Sequence, residues 1–301
     1  KKKIIACWAM GLTQHKNAVY TIREVVNLLL LKGSIGKPGA GTCPVRGHSN
    51  VQGDRTMGIY EQPSAAFLDK LGHVYGFQPP REHGYDVVNA INAMHRGDAK
   101  VFMAMGGNFL SATPDTLFTA QALRNCDLTV HVSTKLNRSH VVHGKEALIL
   151  PCLGRSDKDI QQGEQQFVTC ENSMGVVQPS KGNLHPVSDD LKSEPAIICE
   201  LAEALLGKES HVPWRDYLRH YDHIRNDIEK VIPGFDNYNE RVRHPGGFYL
   251  PNGAREGQFN TYSGKANFNV AEVVTTPLAI DEYMMMTIRS HDQFNTTIYG
   301  L

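Results

Sequence analysis

From residue 86 onward, helical patterns and apolar runs alternate with short polar connections. A helix is expected over residues 86–96, a strand from Lys100 to Met105 and a helix from Pro114 to Arg124. Strands from Asp127 to Val132 and from Ala147 to Leu150 follow. With connections this short, the strands must run parallel and be joined by right-handed crossovers. The fold class that follows is α/β: a doubly wound, mainly parallel sheet with helices on both faces. Such a sheet gathers its ligand at the carboxyl ends of the strands.

The chain opens in the same way. An apolar run from Lys3 to Ala9 reads as a strand, residues 10–16 as a turn, and residues 18–32 as a helix that Gly33 stops. The loop Met10-Gly11-Leu12-Thr13-Gln14-His15 therefore sits where an open sheet places ligands. Residues 36–58 follow, with six glycines in 23 positions and the donors Arg46, Asn50, Gln52 and Arg55. Glycine lets backbone approach a ligand closely, and these side chains suit a large polar guest with anionic groups. A surface loop that is merely rich in glycine is the other reading of this run taken alone.

Two of the later strands end in loops of the same character, Met105-Gly106-Gly107-Asn108 and Ser133-Thr134-Lys135-Leu136-Asn137-Arg138. Each alone is an ordinary turn composition. Two in register beside a glycine-rich run point to a dinucleotide-like ligand. No GxGxxG or GxxxxGK[ST] pattern follows any of the strands, which disfavours a nicotinamide cofactor or a P-loop nucleotide.

Thirty-one basic residues balance 31 acidic ones, so nothing calls for a nucleic-acid or anionic-membrane surface. The apolar stretch Val25 to Leu31, interrupted by Asn27, is far short of a membrane span. No secretory pattern follows the opening lysines, and a cytoplasmic location is expected. Six cysteines without a CxxC pair argue against a cluster or zinc site built from this segment alone. His140 and His143 share a helical spacing but lack companion carboxylate or thiol ligands, so no metal residue is assigned.

Beyond Pro151 the pattern loosens. A helix is expected over residues 193–206, one or two more over residues 213–231, and mostly irregular chain over residues 232–282, with short strand candidates at Gln258-Phe259 and Phe268-Asn269. A last apolar strand, Tyr283 to Ile288, feeds another polar loop, as if the natural protein continued.

These motifs, in this order, resemble the molybdopterin oxidoreductases of the dimethyl sulfoxide reductase family. Trp8-Ala9-Met10-Gly11-Leu12-Thr13-Gln14-His15 is similar to the family's Gly-x-x-Gln loop. Residues 39–58, with Pro44-Val45-Arg46-Gly47 and Asn50-Val51-Gln52-Gly53, resemble the segment that follows it in formate dehydrogenase large subunits. Met105-Gly106-Gly107-Asn108 is similar to the family's Met-Gly-x-Asn/Asp loop, and Ala147-Leu148-Ile149-Leu150-Pro151 to its Ala-Asp-Val-Ile-Leu-Pro strand. The resemblance is to formate dehydrogenase-like alpha subunits of the YdeP-type branch, of which this would be a central fragment.

The resemblance implies a dinucleotide-binding-like core and molybdenum or tungsten carried by two molybdopterin guanine dinucleotides. Met10 and Gln14 would contact the pterin or its pyrophosphate, and Asn108 would bind at its strand end. Ser133 and Thr134 would line the guanosine pocket, Lys158 would meet a phosphate or the pterin, and Glu194 would reach the guanine. Thr287, Arg289 and Asn295 would begin a further cofactor-binding domain. Arg46 would face the substrate, formate or a similar small molecule, as a fixed cation near the metal. Thr134 stands where the family's guanosine pocket has an aspartate, so either the nucleotide is held differently or Glu194 carries the guanine alone.

The metal ligand and any 4Fe-4S cluster are expected upstream of residue 1, and an electron-transfer partner is implied. The implied organisation is the end of one cofactor-binding domain over residues 1–35, a second over 36–206, a helical and irregular extension over 207–282, and the start of a C-terminal domain over 283–301. The function expected is two-electron oxidation or reduction of a small substrate. A cofactor-binding or regulatory homologue without turnover is the alternative.

Overall fold

The computed structural model describes residues 2–273, 275–286, 293–294 and 297–298. Its strands are β1 (Ile5–Trp8), β2 (Gly41–Pro44), β3 (Val101–Met105), β4 (Leu128–Ser133), β5 (Glu146–Pro151), β6 (Asp159–Gln161), β7 (Glu164–Gln166), β8 (Val168–Glu171), β9 (Val176–Ser180), β10 (Phe248–Tyr249), β11 (Gln293–Phe294) and β12 (Thr297–Ile298). Its helices are α1 (Met10–Thr13), α2 (Ala18–Leu31), α3 (Val51–Thr56), α4 (Ala65–Tyr75), α5 (Val87–Arg96), α6 (Phe109–Ala112), α7 (Thr116–Arg124), α8 (Glu194–Leu206), α9 (Trp214–Arg219), α10 (Asp222–Val231) and α11 (Tyr238–Arg241).

Local chemistry sets the helix limits. The side chains of Ser64, Asp86, Asp115 and Ser193 each accept a hydrogen bond from a backbone N–H in the first turn of α4, α5, α7 and α8. Gly76 and Gly97 end α4 and α5 in the left-handed region, at φ 71° and 78°. An acceptor at the first end and a glycine past the last satisfy backbone groups that the helix leaves orphaned.

The parallel strands fall into two units. β1 pairs with β2 in parallel, with α2 as the crossover, which makes a βαβ unit of the first 44 residues. β3, β4 and β5 form a parallel three-stranded sheet in that order. The α/β class read from the sequence is thus present. One face of this sheet carries Phe102, Ala104, Thr129 and His131, and a core of Ile91, Met94, Leu110, Ala122 and Leu123 from α5, α6 and α7 packs against Phe102. On the other face Val132 is fully buried, whereas Val101, Met103, Met105 and Leu148 are exposed.

The region read as loose beyond Pro151 is more ordered than its sequence suggests. β6 and β7 form a hairpin, and β8, β9 and β10 an antiparallel sheet. Pro179 is tolerated in β9 because β10 reaches only Val176 and Val177, leaving the proline's missing donor unneeded. This sheet packs with α10 and α11 around Val177, Phe235, Tyr238, Val242 and Phe248. The strand candidates at Gln258-Phe259 and Phe268-Asn269 are irregular, as are residues 283–286 of the last expected strand. Backbone groups of the two candidates go elsewhere: the Gln258 N–H donates to the Gly253 carbonyl at 2.7 Å, and the Asn27 side chain takes both the N–H and the carbonyl of Asn269.

Candidate functional site

The strand ends of the two parallel units carry the loops singled out from the sequence, and the turn after β5 reaches the glycine-rich run through Arg155 and Ser49. After β1 the chain enters α1, where Met10 lies half-buried and the exposed Gln14 donates from Nε2 to the Met10 sulfur at 3.6 Å. After β2 it reaches Val45, Arg46 and Gly47, and a Cβ on Gly47 would stand 3.8 Å from the Met10 methyl. Met10 and the Arg46 segment are therefore neighbours at one edge.

At the second unit, Gly106 and Gly107 follow β3 with φ of 69° and 78°, and a Cβ on either would meet nothing within 4 Å. The loop is pinned from behind. Asn137 Nδ2 donates to the Gly107 carbonyl at 2.8 Å, and the Ser139 hydroxyl donates to Asn108 Oδ1 at 3.2 Å. Ser133, at the end of β4, donates to the Lys135 carbonyl at 2.8 Å. Thr134 is exposed, and its methyl lies 3.9 Å from where a Cβ on Gly154 would be. The turn after β5 is held by Asp157, whose carboxylate accepts from the Gly154 N–H at 2.8 Å, and by Lys158, whose N–H donates to the Leu184 carbonyl at 2.8 Å.

Arg155 joins the two edges. Its guanidinium donates to the Ser49 hydroxyl from the glycine-rich run and to the Cys170 sulfur of β8. Glu194, at the first turn of α8, has its carboxyl raised above the ordinary range by burial, with the Arg155 cation pulling the other way. Glu194, Arg155, Gly154 and Asp157 line one small cavity.

Residues 45–56 are stitched to β8 by a hydrogen-bond chain. Arg46 Nη2 donates to Gln52 Oε1 at 3.1 Å, and Gln52 Nε2 donates to Glu171 Oε1 at 2.8 Å. The other Glu171 oxygen accepts from the Thr56 hydroxyl at 2.5 Å, and the Glu171 N–H donates to Asn50 Oδ1 at 3.0 Å. Glu171 is 7% exposed, whereas Arg46 is exposed. A buried carboxylate satisfied on this many sides is a fixed anchor. Glu171 also lines a mainly apolar cavity of about 200 Å³ with Phe167, Tyr221, Ile228 and Tyr238.

Of the residues singled out from the sequence, the structure brings Met10 and Gln14 together and places Arg46 beside that loop. It sets Thr134 beside Gly154 at the turn that carries Lys158, with Glu194 near Arg155. Asn108 sits at its strand end, tied to Ser139. Thr287, Arg289 and Asn295 lie outside the described residues. Sequence reasoning missed Glu171, Arg155 and Thr56. Glu171 meets Gln52 across 119 residues of chain, and no local pattern marks such an acid as buried.

No protein-family profile matches the chain. All 301 residues align at 57% identity with a protein of Mycobacterium tuberculosis named as an uncharacterized oxidoreductase, covering 39% of its length. The chain is 50% identical over its full length to protein YdeP of Escherichia coli strain K12, covering 40% of that protein. A protein of Staphylococcus haemolyticus provisionally named formate dehydrogenase is 26% identical over 92% of the chain, which covers 27% of it. The chain thus spans about two-fifths of the length of the first relatives, and among the described residues no helix is long and apolar enough to cross a membrane.

Proposed function

We propose that this chain, a homologue throughout its length of oxidoreductases of the YdeP type, supplies cofactor walls and a substrate-holding arginine to a molybdopterin guanine dinucleotide-dependent oxidoreductase. Its substrate is formate or a similarly small anion. The observation that carries this reading is the tie from the turn after β5 to the glycine-rich run, where Arg155 donates to Ser49, with Thr134 beside Gly154 on one side and the exposed Arg46 beside Met10 on the other.

The donor set fits such a cofactor. Pyrophosphate wants backbone N–H groups and cations; the open strand end at Gly107 would offer the first and Lys158 and Arg155 the second, while the Gly106 N–H is already given to the Val132 carbonyl at 2.7 Å. A guanine edge wants a carboxylate, and Glu194 stands at the start of α8. Met10, Gln14, Asn108, Ser133 and Thr134 would complete the walls. When bound, the metal centre would supply the two-electron chemistry, with molybdenum or tungsten cycling between oxidation states.

The remaining work falls to this chain's own residues. Arg46 holds the substrate carboxylate by its planar fork and offsets charge at a fixed place. The 106–108 loop, pinned by Asn137 and Ser139, would hold its wall in place, so that orientation is set before reaction.

The full-length protein containing this chain is expected to carry molybdenum or tungsten and to release two guanine nucleotides per chain on acid denaturation. It is also expected to pass electrons from formate to a viologen or phenazine dye. Metal and guanine without dye reduction would favour the non-turnover homologue. A preparation with neither metal nor guanine, from cells competent to make the cofactor, would overturn the reading.

A further inference from the structure

We infer that Gln52 and Glu171 are positioning residues that orient the Arg46 guanidinium while leaving its positive charge uncompensated for an anionic ligand. This rests on the reading of Arg46 as the substrate-holding cation, and it concerns how the protein prepares that cation.

An exposed arginine can be oriented in two ways. A carboxylate placed directly on it fixes the fork strongly but neutralises it and occupies the donors that an incoming oxyanion would use. A neutral acceptor fixes the fork and leaves the charge. The chain uses the second arrangement. Among the described residues Arg46 has one hydrogen-bond partner, the amide oxygen of Gln52 at 3.1 Å, and no carboxylate within ion-pair distance. Arg55, Arg81, Arg96, Arg215 and Arg243, by contrast, each contact an acid.

A glutamine amide has two faces, and alone it could turn its NH₂ toward Arg46, donor against donor. Glu171 prevents this. Its Oε1 takes the Gln52 Nε2 at 2.8 Å, so a flipped amide would set oxygen against oxygen at Glu171 and nitrogen against nitrogen at Arg46. Glu171 cannot swing away, because Thr56 holds its second oxygen and Asn50 accepts from its N–H. The negative charge is thus kept one residue back from the guanidinium, buried in the α3–β8 contact. The arrangement suits a small planar carboxylate or similar oxyanion.

The test uses the full-length protein and two readouts. Phenylglyoxal labelling, followed by peptide mass spectrometry, reports whether the Arg46 guanidinium is free of an ion pair and requires no ligand. Calorimetric titration with formate reports its use. In the wild type Arg46 should label readily. In Gln52→Glu, where a carboxylate stands on the fork, labelling should slow and formate affinity should fall by about tenfold or more.

The paired change Gln52→Glu with Glu171→Gln keeps a donor and acceptor at each junction and should keep the melting temperature, yet remain slow to label and weak for formate. That variant separates charge from folding. For Glu171 acting through Gln52, Glu171→Leu and Gln52→Leu should each weaken formate binding, and the double variant should be no weaker than Gln52→Leu alone.

Equal labelling of Arg46 in the wild type, in Gln52→Glu and in the paired variant would overturn the inference, as would additive losses in the leucine pair. Should Arg46→Ala bind formate as the wild type does, the substrate reading fails instead, with the labelling result standing separately.

Discussion

His131 lies 4% exposed on β4, its ring 4.8 Å from that of His140 and edge-on to Phe102, and among the described residues the Nε2 atoms of both histidines have no hydrogen-bond partner. Burial lowers its pKa below the ordinary 6.5, and the His140 charge lowers it further. In the unfolded chain the imidazole takes up its proton near the ordinary value, whereas the folded chain resists until lower pH. The unfolded state therefore binds more protons in that window, and stability is full above 6.5 and lost as pH falls through the folded value. The slope from this one group is at most about 1.4 kcal/mol per pH unit. Urea midpoints should fall between about pH 7 and pH 5, and His131→Leu should flatten that fall. Identical pH profiles for the two proteins would remove His131 as the cause. At the site itself, Arg46→Lys keeps the charge but loses the planar fork that meets Gln52 and a carboxylate together. Formate affinity in the full-length protein should drop by about tenfold, and unchanged affinity would mean that charge alone suffices.

The elements read well where the signal is local. α2, α5, α7 and α8 and the strands β3, β4 and β5 begin and end within two residues of the expected limits, because Asp86, Asp115 and Ser193 cap helices and Gly97 stops one. β2 was hidden in the glycine-rich run, since Gly41-Thr42-Cys43-Pro44 has no apolar pattern and exists as a strand by pairing with β1. β8 and β9 carry Glu171, Gln178 and Pro179, and their partner β10 comes some 70 residues later in sequence. The site followed the same rule. Strand-end loops were legible, whereas Glu171 and Arg155 depend on contacts made only after folding. The turn bearing Arg155 and Lys158 depends on one close approach. A Cβ on Gly182 would stand 1.9 Å from the Asp157 carbonyl oxygen, across the bridge between Asp157 and Leu184. Gly182→Ala should therefore cost about 1–3 kcal/mol in urea unfolding and raise amide exchange over residues 154–158. Gly11→Ala, with nothing within 4 Å of its added methyl, is the control expected to stay near wild type. Equal stability of the two variants would show that the turn yields easily.

At the scale of the whole molecule, the parallel sheet of β3, β4 and β5 poses the sharpest physical question. β3 is apolar on both faces and β4 and β5 mostly so, the signature of a sheet covered on both, which is why the sequence calls for helices on each side. The register puts Phe102 and His131 toward α5 and α7, but leaves Val101, Met103, Met105 and Leu148 exposed by 60%, 38%, 42% and 50%. Four neighbouring apolar side chains at that exposure form a patch that a monomer in water seldom leaves bare. The 301-residue chain expressed alone should bind the dye ANS and sediment as more than a monomer. Met103→Lys with Leu148→Lys should reduce both signals while the far-ultraviolet circular dichroism stays unchanged. The relatives whose sequences align with the whole chain are more than twice as long as it. If their remaining length covers the patch, the same pair of lysines in the full-length protein would bury two unpaired charges and destabilise it by several kcal/mol. If the face is solvated in the full-length protein too, the lysines would be nearly neutral there, as surface changes usually are. The contrast between the two contexts, loss of association in one and loss of stability in the other, decides whether this face is a surface or half of a core.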